Sequence, residues 1–142
     1  MASYRCPADK PKAETVHILI AEDEAMIALS LADLLEAEGY EVTLASNGAE
    51  ALTEARRLGS TLDALLTDLN MPRMSGEDLI RTLRIYRPEL PIVVLTGSPP
   101  PGGLQELRRH GGGSEPFALL PKPMNYADLI ETMRRAVLPK HS

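Results

Sequence analysis

The sequence has no tryptophan and a single phenylalanine among its 142 residues, and aromatic residues make up only 4%. Any hydrophobic core must therefore be mainly aliphatic. The single cysteine, Cys6, cannot form a disulfide within the chain, which fits a reducing compartment, although pairing between two chains stays open. No apolar run approaches the roughly 20 residues that span a bilayer, and the first 15 residues lack the apolar segment of a secretory signal. We therefore expect a cytoplasmic protein without a membrane segment.

Basic residues are outnumbered by acidic ones, 15 to 20, and the net charge of −5 argues against nucleic-acid binding, which needs a basic surface. With 44% hydrophobic and 25% charged residues, the composition is typical of a packed globular protein. The length suits one domain. We expect a flexible N-terminal tail at residues 1–14, a folded domain at residues 15–138 and a short C-terminal tail at residues 139–142.

Short apolar runs alternate with amphipathic segments along the chain. The runs VHILI, YEVTLA, LDALLTDL, LPIVVLTGS and FALLPKP predict five strands, each followed by a segment of helical periodicity. Strand and helix alternation indicates an α/β fold with a doubly wound, five-stranded parallel sheet. The fourth helix should be short or irregular, at about 104–110, because prolines 99–101 and glycines 111–113 interrupt residues 97–116.

Chemically active side chains follow the ends of four of the predicted strands. In open parallel sheets, ligands bind beyond these carboxyl ends. Each residue alone has an ordinary structural explanation, such as a turn for the aspartate before Asn-Met-Pro or favourable helix-dipole interactions for the acids after the first strand. Together they favour a site, whose members are Glu22, Asp23 and Glu24 after the first strand, Asp68 after the third, Thr96 and Gly97 after the fourth, and Lys122 after the fifth.

Converging carboxylates must be neutralised, because two like charges 4 Å apart repel by about 4 kcal/mol at an effective dielectric near 20. A proton or a hard divalent ion such as Mg²⁺ would relieve this repulsion. An aspartate beside such an ion can act as a nucleophile in aspartyl-phosphate chemistry. Lys122 would then balance phosphoryl charge, Thr96 would donate a hydrogen bond, and Gly97 would leave room for the phosphoryl group.

These residues resemble the motif set of the receiver domains of two-component response regulators. The match comprises Glu22-Asp23, Asp68 within DLNMP, Thr96-Gly97 and Lys122-Pro123, in order, and the similarity covers roughly residues 15–138. The resemblance implies a flavodoxin-like (βα)5 three-layer sandwich and a single-domain response regulator. It implies two kinds of partner, a histidine kinase or histidine phosphotransfer protein and a downstream protein target, and it leaves a homodimer open.

The resemblance also implies a role for each matching residue. Asp68 would accept the phosphoryl group, and Mg²⁺ would be bound by Glu22, Asp23, Asp68 and the backbone carbonyl of Asn70. Asn70, Gly97 and Lys122 would contact the phosphoryl group, and Thr96 would move toward it on activation. The family often has an aromatic switch residue three positions before the lysine, where this chain has Leu119. Phe117 lies two residues earlier on the same strand face and is an alternative switch candidate.

Two other functional classes remain as alternatives. A pseudo-receiver, working as an interaction module without phosphorylation, would be free to lose the acidic, hydroxyl and lysine residues that this chain keeps. An enzyme on a similar fold is disfavoured: a haloacid-dehalogenase-like phosphatase would have a second aspartate where Asn70 stands, and the acidic AEDEA loop would repel a flavin phosphate.

Several further residues are interpreted as structural. The helical spacing of Arg81, Arg84 and Arg87 predicts a solvated stripe on the third helix. We expect His17 to pack within or at the edge of the sheet. The methionines Met26, Met71, Met74, Met124 and Met133 are expected to fill gaps in the core.

Overall fold

The computed structural model describes residues 15–97, 118–122 and 125–137. Five parallel strands form one sheet: β1 His17–Ala21, β2 Glu41–Ala45, β3 Ala64–Thr67, β4 Ile92–Thr96 and β5 Ala118–Pro121. The described helices are α1 Ala25–Ala37, α2 Gly48–Leu58, α3 Gly76–Tyr86 and α4 Tyr126–Val137, and a 3-10 turn, Gly59–Thr61, follows α2. The helix expected near 104–110 and both predicted tails lie outside the described residues.

The strand order is β2-β1-β3-β4-β5, and all neighbouring strands are parallel. This order confirms the predicted doubly wound, flavodoxin-like sheet. The chain moves outward from β1 to β2 and then returns to place β3 on the other side of β1. The topological switch point, where such folds bind ligands, therefore lies between the carboxyl ends of β1 and β3.

Helices cover both faces of the sheet, so that alternate residues of one strand belong to different cores. Leu19 of β1 packs in the core formed with α2 and α3, whereas Ile18 and Ile20 pack in the core formed with α1 and α4. All three side chains are fully buried. Burial on both faces explains why the strands are continuous apolar runs and not alternating ones.

The helix ends follow local sequence signals. The Asn47 side chain accepts a hydrogen bond from the Glu50 N–H at 2.8 Å and caps α2, and Ser75 caps α3 through the Asp78 N–H at 3.2 Å. Gly39, which follows α1, has φ +96°, a conformation that side chains with a Cβ rarely adopt. Ser75 therefore marks the start of α3 and Gly39 marks the turn after α1.

The predicted solvated arginine stripe is wrong for two of its three members. Of the three arginines, Arg81 alone is both helical and exposed, and it pairs with Asp78. The half-buried Arg84 donates to the carbonyls of Arg87, Pro88 and Leu90 in the turn after α3. Arg87 follows the helix and donates to two carbonyls of the neighbouring 3-10 turn region at 3.0 and 3.1 Å.

Two smaller predictions have different outcomes. Met26 is 81% exposed, so its assignment to the core is wrong, whereas Met133 is fully buried. His17 packs at the sheet surface as expected, with its Nε2 atom 2.7 Å from the Thr43 hydroxyl. None of the helices in the described ranges is long and apolar enough to cross a bilayer.

Candidate functional site

Four of the predicted site residues stand one position beyond the end of a strand, and three of these, Glu22, Asp68 and Lys122, carry a charged side chain. Glu22, Asp68 and Lys122 each donate their backbone N–H to the last residue of a neighbouring strand, at 3.0, 3.0 and 2.9 Å respectively. The sheet ladder thus continues for one residue and fixes the starting point of each side chain. Because the strands are parallel, all three residues emerge at the same edge of the sheet.

The acids that follow β1 and β3 meet at the switch point. Carboxylate oxygens of Glu22, Asp23 and Asp68 all lie within 4.8 Å of one another. Glu22 and Asp68 are 3% and 7% exposed, whereas Asp23 is exposed to solvent. The site therefore combines two buried negative charges with a third at its solvent side.

Lys122 bridges the two buried carboxylates. Its Nζ atom donates to Glu22 Oε1 at 3.0 Å and to Asp68 Oδ2 at 2.9 Å. Burial raises the pKa of Glu22, and the hydrogen bond from Lys122 offsets only part of that effect. Burial also disfavours the ammonium ion, but the bonds to Asp68 and Glu22 outweigh it and raise the pKa of Lys122. Lys122 therefore stays charged and partly neutralises a cluster that carries excess negative charge.

The loop after β3 and the end of β4 supply polar groups on the other side of Asp68. The Asn70 backbone N–H donates to Asp68 Oδ1 at 3.2 Å, and the Asn70 amide lies 3.5 Å from the hydroxyl of the fully buried Thr96. Gly97 is exposed, and among the described residues a Cβ atom there would meet only Lys122, at 3.9 Å. The described part of the chain therefore leaves space beside the lysine.

Gly76 lies against the backbone of Asp68 and was not among the residues predicted from the sequence. A Cβ atom at Gly76 would lie 2.2 Å from the Asp68 carbonyl oxygen, a distance that requires the backbone to move. Gly76 also donates its N–H to the Leu69 carbonyl at 3.0 Å. The available signal was a glycine at the first position of a helix, after a serine cap. Glycine destabilises a helix relative to alanine, and a close approach of two backbone segments is one reason to keep it.

Of the two switch candidates, Leu119 lies within the described residues and Phe117 does not. Leu119 lies in β5 beside Val94 of β4, is half-buried, and packs against the core that contains α2 and α3. Phe117 and the predicted irregular segment 98–116 lie outside the described residues. The choice between Leu119 and Phe117 thus remains a prediction.

The donor set of this site fits a small, hard cation. Ligands of an octahedral Mg²⁺ ion stand about 3 to 4 Å apart, since each bond is about 2.1 Å long. The three carboxylates have oxygens within 4.8 Å of one another, so shifts of at most about 2 Å would bring them to that geometry. All donors are oxygen atoms, as such ions prefer, and the described residues bring no cysteine or histidine into this cluster.

Comparison with known proteins gives a consistent result. The family model described as the response regulator receiver domain matches residues 18–134. A response regulator receiver protein of Anaeromyxobacter sp. strain Fw109-5 is 39% identical over 113 residues, which are 80% of this chain and 45% of that protein. This chain thus spans less than half the length of that relative.

Solved structures show the same fold. A response regulator receiver domain protein of Clostridium thermocellum is 30% identical, with a TM-score of 0.77 and coverage of 88% of this chain and 96% of that one. A CheY-like receiver domain protein of Methanospirillum hungatei is 27% identical, with a TM-score of 0.78 and coverage of 89% and 97%. With its sheet order and its family match over residues 18–134, the chain belongs to the receiver domain family of response regulators, the phosphoacceptor domains of two-component signalling.

Proposed function

We propose that Asp68 accepts a phosphoryl group from the phosphohistidine of a histidine kinase or a histidine phosphotransfer protein, in a reaction that depends on Mg²⁺. One observation carries this proposal. The Asp68 carboxylate stands at the switch point of the sheet, 2.9 Å from the Lys122 ammonium and within 4.8 Å of the Glu22 and Asp23 carboxylates. That arrangement joins a nucleophile, a cation for phosphoryl charge and a set of metal ligands.

The transfer exchanges one bond to phosphorus for another. A carboxylate oxygen of Asp68 forms the new O–P bond while the N–P bond to the donor imidazole breaks, and the leaving imidazole takes up a proton. Lys122, which pairs with Asp68 before transfer, would then pair with a phosphoryl oxygen. The buried Thr96 hydroxyl and the Asn70 amide would contact other phosphoryl oxygens, with Gly97 leaving the approach open.

We assign the metal to Glu22, Asp23, Asp68 and the Asn70 carbonyl. When bound, Mg²⁺ would neutralise charge on the phosphoryl group during transfer. Glu22 and Asp68 are buried and held by Lys122, so they form the fixed part of this ligand set. The exposed Asp23 completes it from the solvent side.

The proposed output is contact with another protein or relay of the phosphoryl group. The switch would begin at Thr96 and continue through Leu119 or Phe117. The acidic net charge of −5 favours protein partners over nucleic acid, and the single cysteine fits a cytoplasmic role. Such a receiver works as a signalling domain that assists its own phosphorylation and dephosphorylation, rather than as an enzyme acting on a separate metabolite.

Intact-mass spectrometry after incubation with acetyl phosphate tests the proposal. We expect the chain to gain one phosphoryl group in the presence of Mg²⁺ and none in EDTA. Asp68→Asn, which keeps the size of the side chain, should gain none. A gain that persists in Asp68→Asn would overturn the assignment. Absence of any gain, also with a phosphorylated histidine phosphotransfer domain as donor, would favour a receiver that works without phosphorylation.

The metal assignment has its own test. Asp23→Asn should weaken Mg²⁺ binding by about tenfold or more, as followed by amide shifts of Asn70 in an NMR titration. Without metal it should raise resistance to urea, because it removes one charge from a repulsive cluster. Asp33→Asn makes the same chemical change at an exposed position of α1 and is the matched control. Equal Mg²⁺ affinity in the Asp23 and Asp33 variants would contradict the assignment.

A further inference from the structure

A second concave site lies at the opposite end of the sheet from Asp68. A cavity of about 280 Å³ opens between the C-terminal ends of α2 and α3 and the 3-10 turn. Its buried side is formed by Ala55, Leu62 and Leu83, which are at most 6% exposed. Leu62 precedes β3 and Asp68 follows it, so the two are separated by six extended residues, about 20 Å. This site, the α2–α3 cavity, is therefore separate from the phosphoacceptor site.

The exposed side of the α2–α3 cavity carries an arginine and a tyrosine in contact. Arg56 Nη2 donates to the Tyr86 hydroxyl at 2.6 Å, and the guanidinium carbon lies 5.1 Å from the centre of the Tyr86 ring. Tyr86 is 54% exposed and its neighbour Ile85 is 76% exposed. Tyrosine and arginine are the side chains most often found to dominate binding energy at protein interfaces. An apolar cavity bordered by such a pair is typical of a docking site.

The charge at this rim is positive and unbalanced. Within the described part of the chain, Arg56 makes no ion pair with a carboxylate, whereas the adjacent Arg57 pairs with Glu54 at 2.7 Å. Arg87, also at the rim, donates hydrogen bonds to the carbonyls of Gly59 and Leu62 and pairs with an exposed glutamate. A guanidinium has five N–H donors, and the hydroxyl of Tyr86 uses only one of those of Arg56. The free donors match an approaching carboxylate.

The size of the cavity limits the apolar part of its occupant. It is smaller than most sites for drug-sized molecules, which exceed about 300 Å³, and larger than the cavity of about 150 Å³ that holds benzene. One branched or aromatic side chain fits such a volume. A chain of net charge −5 repels acidic partners in general, so attraction to a carboxylate must come locally, from Arg56 at the rim.

From this geometry we propose that the α2–α3 cavity is a docking site for an acidic segment of a partner protein. The segment inserts one apolar side chain between α2 and α3 and places an adjacent aspartate or glutamate on Arg56. The site works independently of the chemistry at Asp68.

Selection from a phage library of random dodecapeptides on the full-length chain tests this proposal. The peptides recovered should share an apolar residue next to aspartate or glutamate. When synthesised, they should shift the amide resonances of Ala55, Leu62 and Leu83. Arg56→Ala should weaken their binding by about tenfold or more. Arg57→Ala, which removes an equal charge one residue away, should leave affinity unchanged, and both variants should keep the urea midpoint of the parent.

Four results would overturn the proposal: no enrichment, enriched peptides without acidic residues, equal losses in Arg56→Ala and Arg57→Ala, or shifted resonances away from the cavity. Charge reversal gives an independent check, because Arg56→Glu should disfavour the acidic peptides more than Arg56→Ala does. Sedimentation must also show that the parent and Arg56→Ala have the same oligomeric state. A parent dimer that Arg56→Ala converts to monomers would mean that a second copy covers the cavity.

Discussion

Lys122→Met isolates the electrostatic role of the lysine, because methionine keeps most of the apolar length of the side chain. The substitution leaves the carboxylates of Glu22 and Asp68, which are 3% and 7% exposed, without their ammonium partner. Removing one partner of a buried ion pair is usually destabilising, since the remaining charge is uncompensated. We therefore expect a less stable domain in the absence of metal.

The size of the effect follows from distances and protonation. Each contact, at 3.0 and 2.9 Å, corresponds to about 5 to 6 kcal/mol of gross attraction at an effective dielectric near 20. The variant can avoid most of this loss by binding a proton at Glu22. For a carboxyl of unfolded pKa 4.5, protonation costs about 3.4 kcal/mol at pH 7 and about 0.7 kcal/mol at pH 5. The expected loss is therefore about 2 to 3 kcal/mol at pH 7 and below about 1 kcal/mol at pH 5.

The direction of the pH dependence follows from the raised pKa of Glu22 in the folded state. Without Lys122 that pKa rises further, so the penalty is absent below the unfolded value of 4.5 and grows as pH rises toward the folded value. The loss of unfolding free energy in Lys122→Met is measured by urea unfolding in EDTA at pH 5 and pH 7, followed by far-ultraviolet circular dichroism. Adding Glu22→Gln should restore most of the stability. An equal loss of stability at both pH values, or no recovery in the double variant, would show that the loss does not come from the uncompensated charge on Glu22.

Two further predictions concern backbone contacts around the site and at the end of α3. Gly76→Ala should cost about 1 to 3 kcal/mol of unfolding free energy and slow phosphorylation, because its Cβ would lie 2.2 Å from the Asp68 carbonyl oxygen, whereas Gly97→Ala should keep its stability. Arg84→Met should cost about 1 to 3 kcal/mol, because the carbonyls of Pro88 and Leu90 in the turn after α3 lose the Arg84 donor. The exposed Arg81→Met should cost less than about 0.5 kcal/mol. Urea titrations of the four variants measure these losses of unfolding free energy. Equal losses in Gly76→Ala and Gly97→Ala, or in Arg84→Met and Arg81→Met, would contradict the corresponding prediction.

The fold and the convergence of the acids were predictable because both follow from strand order. Apolar runs alternating with helices imply a parallel sheet, and parallel strands bring their carboxyl ends to one edge. Once Glu22, Asp68 and Lys122 were placed after strands, the topology put Glu22 and Asp68 at the ends of neighbouring strands. Lys122 follows β5, with β4 between it and β3, and reaches both carboxylates through its long side chain. Their separation of up to 100 residues in sequence was no obstacle.

The rest depended on contacts that have no local sequence pattern. Helical spacing placed Arg84 on a surface stripe, but a long side chain can turn toward the carbonyls of the turn that follows its own helix. The close approach between Gly76 and the Asp68 carbonyl depends on how α3 packs on the sheet. The α2–α3 cavity likewise arises from the distance between two helix ends.

Trapping the phosphorylated residue with sodium borohydride tests the central claim most directly. Borohydride reduces an aspartyl phosphate to homoserine, so sequencing the peptides by mass spectrometry identifies the carboxylate that was phosphorylated. After treatment with acetyl phosphate and Mg²⁺, we expect homoserine at position 68 and at no other acid of the cluster. Homoserine at position 23, or an unmodified Asp68 in a chain that has gained a phosphoryl group, would contradict it.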